Sequence, residues 1–174
     1  MNTSDFNFVF LGQSILKYQV PLDIYNTIND IYEKRRHELY PANKQLVGKI
    51  ENEHSLYSCW INEMKEHEYN PVHIHQGTLY SGLSSVMILK LPESTGQEYS
   101  ASDKPMNGRL QIIGNGAGQF GNTDYTPNTQ IRDFYIFPYD MRHTVNPFNG
   151  SGLRRTLSFN CDVDYNPITN RSAS

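Results

Sequence analysis

Hydrophobic and polar positions divide the chain into one helical segment and a series of short strands. Ile24, Ile28 and Ile31 are spaced by four and three residues, which places their side chains on one face of a helix. The pattern predicts one long helix from Leu22 to about Glu38. The short apolar clusters between Phe6 and Val20, which a glycine separates, predict an extended segment before that helix.

Beyond residue 41 the chain changes to short alternating segments separated by glycine, proline and asparagine, a texture typical of an all-β sandwich or barrel. Two stretches, Pro92–Gly108 and Gly114–Asn128, lack any strong periodicity, and we expect them to form long loops at the rim of a site. The predicted strands are Leu56–Met64, Val72–His75, Ser84–Leu91, Arg109–Ile113, Asp133–Phe137 and Arg154–Val163.

The composition indicates one globular domain. The 174 residues carry a formal charge of −3, and 37% of them are hydrophobic and 12% aromatic. The chain is therefore too acidic for nucleic acid or an anionic membrane to be an expected partner, and too aromatic to be disordered. We find no apolar run long enough to cross a membrane and no secretory signal, and Cys59 and Cys161 are too few for a disulfide framework. We expect a soluble, cytoplasmic protein.

The segment Asn70–Gly77 contains two histidines at alternate positions. Residues on a strand alternate between two faces, so His73 and His75 point to the same side, with their backbones about 6–7 Å apart. This spacing lets two imidazoles converge on one metal ion. The alternative is a pair of exposed or hydrogen-bonded histidines at a strand end, with no metal between them.

A third histidine follows the apolar strand that ends at Pro138. His143 comes directly after a turn, where its side chain would face back across a barrel and supply a third metal ligand. The strand that begins at Arg154 has a regular alternation, and one of its faces carries only polar side chains: Arg154, Thr156, Ser158, Asn160 and Asp162.

The polar face of this strand has two interpretations. It could lie in water, or it could line a barrel lumen in which Arg154 holds a carboxylate by a two-pronged, charge-assisted contact. Arg155 shares the opposite face with Leu157 and Phe159. We expect the stem of Arg155 to pack along the outside of the barrel and its guanidinium to reach water.

Together these residues resemble the iron(II)- and 2-oxoglutarate-dependent oxygenases, whose pattern is His-x-Asp/Glu, a distal His and Arg-x-Ser. The corresponding residues here are His73 and His75, His143, and Arg154 with Thr156. More narrowly, the chain is similar to a small hydroxylase-like branch found in bacteria and their phages, over residues 44–163. The resemblance implies a mostly β fold, a double-stranded β-helix (jelly-roll) barrel, with the N-terminal helix packed on the outside.

The resemblance also implies the cofactors and the site. Fe(II) would be held by His73, His75 and His143 at the open end of the barrel, and 2-oxoglutarate and molecular oxygen would be cosubstrates. Arg154 would pair with the distal carboxylate of 2-oxoglutarate, and Thr156 would donate a hydrogen bond to the same group. The substrate hydroxylated would be a prolyl or amino-acid group or another small molecule or peptide. Further candidates for the pocket are Tyr80, Trp60, Asn62 and Asn160.

One position departs from the general family, which has a carboxylate where this chain has His75. A three-histidine site keeps the facial arrangement but lacks one negative charge, so we expect it to bind iron(II) less tightly. Asp140, the acidic residue nearest to a predicted ligand, is an alternative to His75 if the turn bends inwards.

Two other functions remain open. A cupin-type dioxygenase has a similar barrel and often three histidine ligands, but the glutamate expected after the histidine pair is missing from Gln76–Leu79, and a cupin has no need of Arg154. A non-catalytic jelly-roll binding module would contact a sugar or peptide through tyrosine-rich loops, and its histidine pair would be incidental.

We divide the predicted single domain, residues 1–174, into three parts. An N-terminal strand and helix occupy residues 1–43, the jelly-roll core occupies residues 44–165, and residues 166–174 form a tail.

Overall fold

The computed structural model describes residues 13–38, 56–77, 81–98, 104–114, 116 and 123–163. This part of the chain contains one α-helix, a short 3₁₀ turn at Arg36–Glu38 and nine strands. In chain order the elements are β1 (Leu16–Gln19), α1 (Leu22–Arg35), β2 (Leu56–Met64), β3 (Asn70–His73), β4 (Gly82–Lys90), β5 (Leu110–Ile113), β6 (Asp124–Tyr125), β7 (Asp133–Pro138), β8 (Arg142–Val145) and β9 (Arg154–Asp162).

The strands form two antiparallel sheets. One sheet has five strands in the order β1-β7-β4-β9-β2, and the other has four strands in the order β3-β8-β5-β6. Consecutive strands of the chain alternate between the two sheets over much of the molecule, as in a jelly-roll. The predicted fold class, a mostly β jelly-roll with one N-terminal helix, is confirmed.

The middle of the five-stranded sheet is buried on both faces because it lies between the barrel interior and the helix, whereas its edge strand β1 is exposed. Along β4, Val86 and Ile88 belong to the interior cluster, whereas Met87 and Leu89 belong to a second cluster on the outer face. This alternation follows from the period of two along a strand. Helix α1 covers the outer cluster with one face, which carries Tyr25, Ile28 and Tyr32.

The pattern of the sequence located most of the long elements. The helix and six strands lie where they are predicted, with ends that differ by no more than a few residues. Strand β1 lies within the segment predicted to be extended. Two strands are absent from the prediction: β8 has only four residues, and the two residues of β6 fall inside the glycine-rich stretch predicted as a loop.

The expectation for Arg155 is wrong in one respect. Its side chain leaves the barrel on the outer face, as predicted, but the guanidinium does not reach water, since the residue is only 7% exposed. Arg155 Nε donates to Glu63 at 2.8 Å, and Nη1 donates to Glu33 at 3.1 Å. The guanidinium carbon lies 3.8 Å from the centre of the Tyr32 ring. Helix α1 supplies Glu33 and Tyr32, so it converts an outward side chain into a buried one.

The proposed boundaries at residues 43–44 and 165–166 lie outside the described residues. Within the described ranges, no helix combines the length and the hydrophobicity that a membrane crossing requires.

Candidate metal centre

Two strands of the four-stranded sheet bring the three predicted histidines together. His73 is the last residue of β3 and His143 is the second residue of β8, and the two are partners in the antiparallel pairing of these strands. His75 follows β3, and its backbone N–H donates to the carbonyl of Tyr139 at 2.8 Å, in the turn that precedes β8. This bond holds the segment against the turn, so His75 joins the other two rings.

The imidazole rings are close enough to share one ion. One nitrogen from each ring lies within 4.8 Å of the other two. His75 Nε2 and His143 Nε2 are 3.2 Å apart. Two nitrogens bound at right angles to one metal, each at about 2.1 Å, are about 3 Å apart, so this pair matches adjacent positions of an octahedral site.

Backbone carbonyls fix the protonation of two of these rings. His73 Nδ1 lies 2.7 Å from the carbonyl oxygen of Pro71, and His143 Nδ1 lies 3.0 Å from that of Met141. A carbonyl oxygen only accepts, so each Nδ1 must carry the proton and donate it. The lone pair of each ring is therefore on Nε2, which is the nitrogen available to a metal.

Burial keeps two of the three imidazoles, those of His143 and His75, neutral. His143 is 3% exposed, and its burial, together with the neighbouring His73 and His75, lowers its pKa to about 3, although the Met141 carbonyl opposes the shift. Burial and the proximity of His73 lower the pKa of His75 to about 4. At neutral pH both imidazoles are therefore unprotonated, which is the form that binds a metal ion.

The histidines open onto a cavity of about 240 Å³ between the two sheets. Four apolar side chains contribute to its wall: Met64, Val86, Leu110 and Val145. The rest of the wall beside the histidines is polar or aromatic and comprises Trp60, Asn62, Asn70, Arg154, Thr156 and Ser158.

Arg154 is unusual among the wall residues because it is a buried charged side chain with few hydrogen-bond partners. It is 1% exposed, and neither its Nε nor its Nη2 has a hydrogen-bond partner among the described residues. Burial lowers the pKa of Arg154 to about 10, so the guanidinium still carries its charge at neutral pH. An uncompensated buried charge is costly, and a carboxylate is the group that fits the two-pronged donor geometry of a guanidinium.

Most of the predicted site residues lie at this cavity. The wall includes Arg154, Thr156, Trp60 and Asn62, and the ring centroids of Trp60 and His75 are 5.3 Å apart. Asn160 is buried further along the same face of β9 and is not part of the wall. Tyr80 lies outside the described residues.

Asp140 does not join the histidine cluster. It is exposed, and its carboxylate accepts a hydrogen bond from Gln13 at 3.4 Å. Asn70 is a wall residue that the sequence reasoning did not select. Period-two alternation would place Asn70, three residues before His73, on the opposite face of the strand, so the pattern gave no signal for it. An irregularity in the pairing of β3 with β8 between these two residues allows both to line the cavity.

Comparisons with known proteins agree with this geometry. The family described as "Putative 2OG-Fe(II) oxygenase" matches residues 58–160, more than half of the chain. Comparison with curated protein sequences finds no match. Among solved structures, a Pseudomonas putida prolyl-4-hydroxylase is 13% identical, with a TM-score of 0.55, over 87% of this chain and 93% of its own.

Two further solved structures are similar. HygX from Streptomyces hygroscopicus, solved with nickel and 2-oxoglutarate bound, is 8% identical, with a TM-score of 0.59, over 88% of this chain and 84% of its own. An oxidoreductase of the 2OG-Fe(II) oxygenase family from Burkholderia pseudomallei is 15% identical, with a TM-score of 0.41, over 65% of this chain. This chain spans about half of that protein, 47% of its length.

The match over residues 58–160 confirms the resemblance seen in the sequence, and iron(II) and 2-oxoglutarate are the cofactor and cosubstrate that define these enzymes. The chain therefore belongs to the 2OG-Fe(II) oxygenase family.

Proposed function

We propose that His73, His75 and His143 hold iron(II), and that Arg154 and Thr156 hold the distal carboxylate of 2-oxoglutarate, in an oxygenase that hydroxylates a small molecule or a peptide. The observation that carries this proposal is the position of a buried guanidinium with unpartnered nitrogens in the same cavity as three convergent imidazoles. The metal site and the carboxylate site are then two ends of one binding site.

Under this proposal, the residues in and around the cavity have different roles. The carbonyls of Pro71 and Met141 hold His73 and His143 in the orientation that presents Nε2. Arg154 binds one end of the cosubstrate, and the hydroxyl of Thr156 donates to the same carboxylate. The apolar side chains of the wall limit the access of water to the reacting atoms. Iron(II), when bound by the three histidines, would supply the redox chemistry that couples the reduction of oxygen to the oxidation of 2-oxoglutarate and substrate.

The proposal specifies the type of reaction, hydroxylation, and leaves the substrate as a broad class. A Pseudomonas putida prolyl-4-hydroxylase shares the fold across most of both chains, which supports hydroxylation as the reaction. Prolyl and free amino-acid substrates are both included in the proposal, as are other small molecules.

The metal assignment is tested by measuring iron(II) affinity anaerobically. His143→Ala removes a buried ligand, and we expect the affinity to fall at least about a hundredfold. The matched control is His67→Asn, which changes a histidine in a turn with a φ of 66°, a conformation that asparagine tolerates. His67→Asn should bind iron(II) as the wild type does. Equal affinity in His143→Ala and the control would contradict the assignment.

His75 has its own test, because it stands where the general family has a carboxylate. His75→Asp should keep or raise iron(II) affinity, since it restores a negative ligand, whereas His75→Ala should lower it. The same affinity in all three proteins would show that His75 does not bind the metal.

A three-histidine dioxygenase that does not use 2-oxoglutarate is the second candidate, because three histidines and no carboxylate converge among the described residues. The two candidates differ in one product. If the proposal is right, the iron-loaded protein forms succinate from 2-oxoglutarate. Oxygen uptake with a substrate and without 2-oxoglutarate would favour the second candidate.

A further inference from the structure

The cavity is unusual in its balance of charge. Among its described wall residues, Arg154 is the only one with a formal charge, and none is a carboxylate. The three histidines that converge there are neutral as metal ligands. Every group that the described chain contributes to this cavity is therefore neutral or positive.

The proposed cofactor and cosubstrate do not cancel this charge. Iron(II) brings two positive charges and Arg154 brings one, while 2-oxoglutarate brings two negative charges, so one positive charge remains. A site with an aspartate in place of His75 would be neutral under the same count. The cavity is partly open to solvent, but its protein walls lower the effective dielectric constant, so an uncompensated charge there attracts an ion of opposite sign more strongly than it would in bulk water.

We propose that the cavity accepts a third anionic group, and that the substrate therefore carries a carboxylate or another single negative charge next to the metal. This inference rests on the proposed function, because it needs iron(II) and 2-oxoglutarate in the cavity. Ser158 lies in the wall and offers a neutral O–H donor to such a group.

The test uses two probes of the same shape that differ by one charge. Acetate and acetamide are titrated into the Co(II)-substituted protein with saturating 2-oxoglutarate and without oxygen, and the visible spectrum of the cobalt reports first the binding of 2-oxoglutarate and then that of the probe. We expect acetate to bind at least about tenfold more tightly than acetamide, because of the remaining positive charge.

Two variants examine the origin of this preference. His75→Asp adds the missing negative charge at the metal, and Asn62→Asp adds it to the wall without changing a histidine. In each variant the preference for acetate should fall at least about tenfold. Asn62→Ser is the neutral control and should keep the preference. Asn62→Asp also keeps the test valid if His75→Asp does not fold.

The outcomes separate this inference from the proposed function. If the wild type binds Co(II) and 2-oxoglutarate but binds acetate no better than acetamide, or binds neither probe, the inference is wrong and the proposed function stands. An acetate preference that both aspartate variants retain would also overturn the inference. A wild type that fails to bind 2-oxoglutarate would overturn both.

Discussion

Arg154 and Arg155 are adjacent on β9, and both are buried, yet their surroundings are opposite. Arg155 lies on the outer face of the five-stranded sheet, where Glu63, Glu33 and the ring of Tyr32 contact its guanidinium. Arg154 lies on the inner face, where Nε and Nη2 have no partner among the described residues. Two consecutive arginines of one strand therefore differ: one is paired with carboxylates, and the other has donor nitrogens without a partner among the described residues.

The difference between these surroundings distinguishes an arginine that stabilises the fold from one that is available to bind a ligand. A buried arginine whose donors are occupied by carboxylates stabilises the contact between two elements, here α1 and the sheet. A buried arginine whose donors are free lowers stability until an anion binds, so its retention requires another explanation. Under the proposed function, the carboxylate of 2-oxoglutarate is that explanation for Arg154.

The largest effect on stability is expected for Arg155→Ala. The substitution removes the guanidinium that pairs at 2.8 Å with the carboxylate of Glu63, a side chain that is only 5% exposed. Breaking a buried ion pair from one side costs about 3–5 kcal/mol of the free energy of unfolding. Urea unfolding measures this loss. Arg142→Ala, an exposed arginine on β8, is the control and should change stability by less than about 0.5 kcal/mol. Equal stability of the two variants would show that the Arg155 contacts contribute little.

Tyr32→Phe should have an intermediate effect. The Tyr32 hydroxyl donates to Glu63 at 2.6 Å, and its loss should cost about 1–2 kcal/mol at neutral pH. Burial and this hydrogen bond raise the pKa of Tyr32 to about 12, from 10.0. The contribution of the hydroxyl is therefore complete below pH 10 and disappears as the pH rises towards 12.

The pH dependence of unfolding distinguishes this cause from lost packing. Wild type should lose more stability than Tyr32→Phe between pH 10 and 12. Tyr18→Phe, which changes an exposed tyrosine on β1, should follow the wild-type curve. Parallel curves for wild type and Tyr32→Phe would contradict the role of the hydroxyl.

The smallest effect on stability is expected for Arg154→Met, although Arg154 is the more deeply buried arginine. Methionine fills much of the same space and removes a charge that has unpartnered donors. The free energy of unfolding without ligand should change by less than about 1 kcal/mol, or rise. If Arg154→Met lowered the free energy of unfolding as much as Arg155→Ala, Arg154 would be a structural residue, and the contrast between the two arginines would be wrong.

Strand parity made part of this comparison predictable from the sequence. Alternation along Arg154–Val163 assigned Arg154 and Thr156 to one face and Arg155 to the other, as in the structure. The partners of Arg155 were not predictable in the same way. Glu63 and Glu33 are 92 and 122 residues away along the chain, so only the packing of the helix on the sheet brings them to it.

The histidine cluster was also only partly predictable. Period-two spacing placed His73 and His75 on one side, but the position of His143 depends on β8, a strand too short to show a pattern. The pairing of His73 with His143 across β3 and β8 is a long-range contact. Met64 and Leu110 also line the cavity, which the sequence did not predict, because their apolar side chains look like ordinary core positions.

We propose above that Arg154, whose Nε and Nη2 have no partner among the described residues, binds the carboxylate of 2-oxoglutarate. The most direct measurement is an anaerobic titration of the iron-loaded protein with 2-oxoglutarate, in wild type, Arg154→Ala and Arg155→Lys. Arg154→Ala should weaken 2-oxoglutarate binding by about thirtyfold or more, equivalent to at least about 2 kcal/mol. Arg155→Lys, which keeps a positive charge beside Glu63, should bind 2-oxoglutarate within about twofold of wild type. Unchanged binding in Arg154→Ala, or a greater loss in Arg155→Lys, would contradict the account.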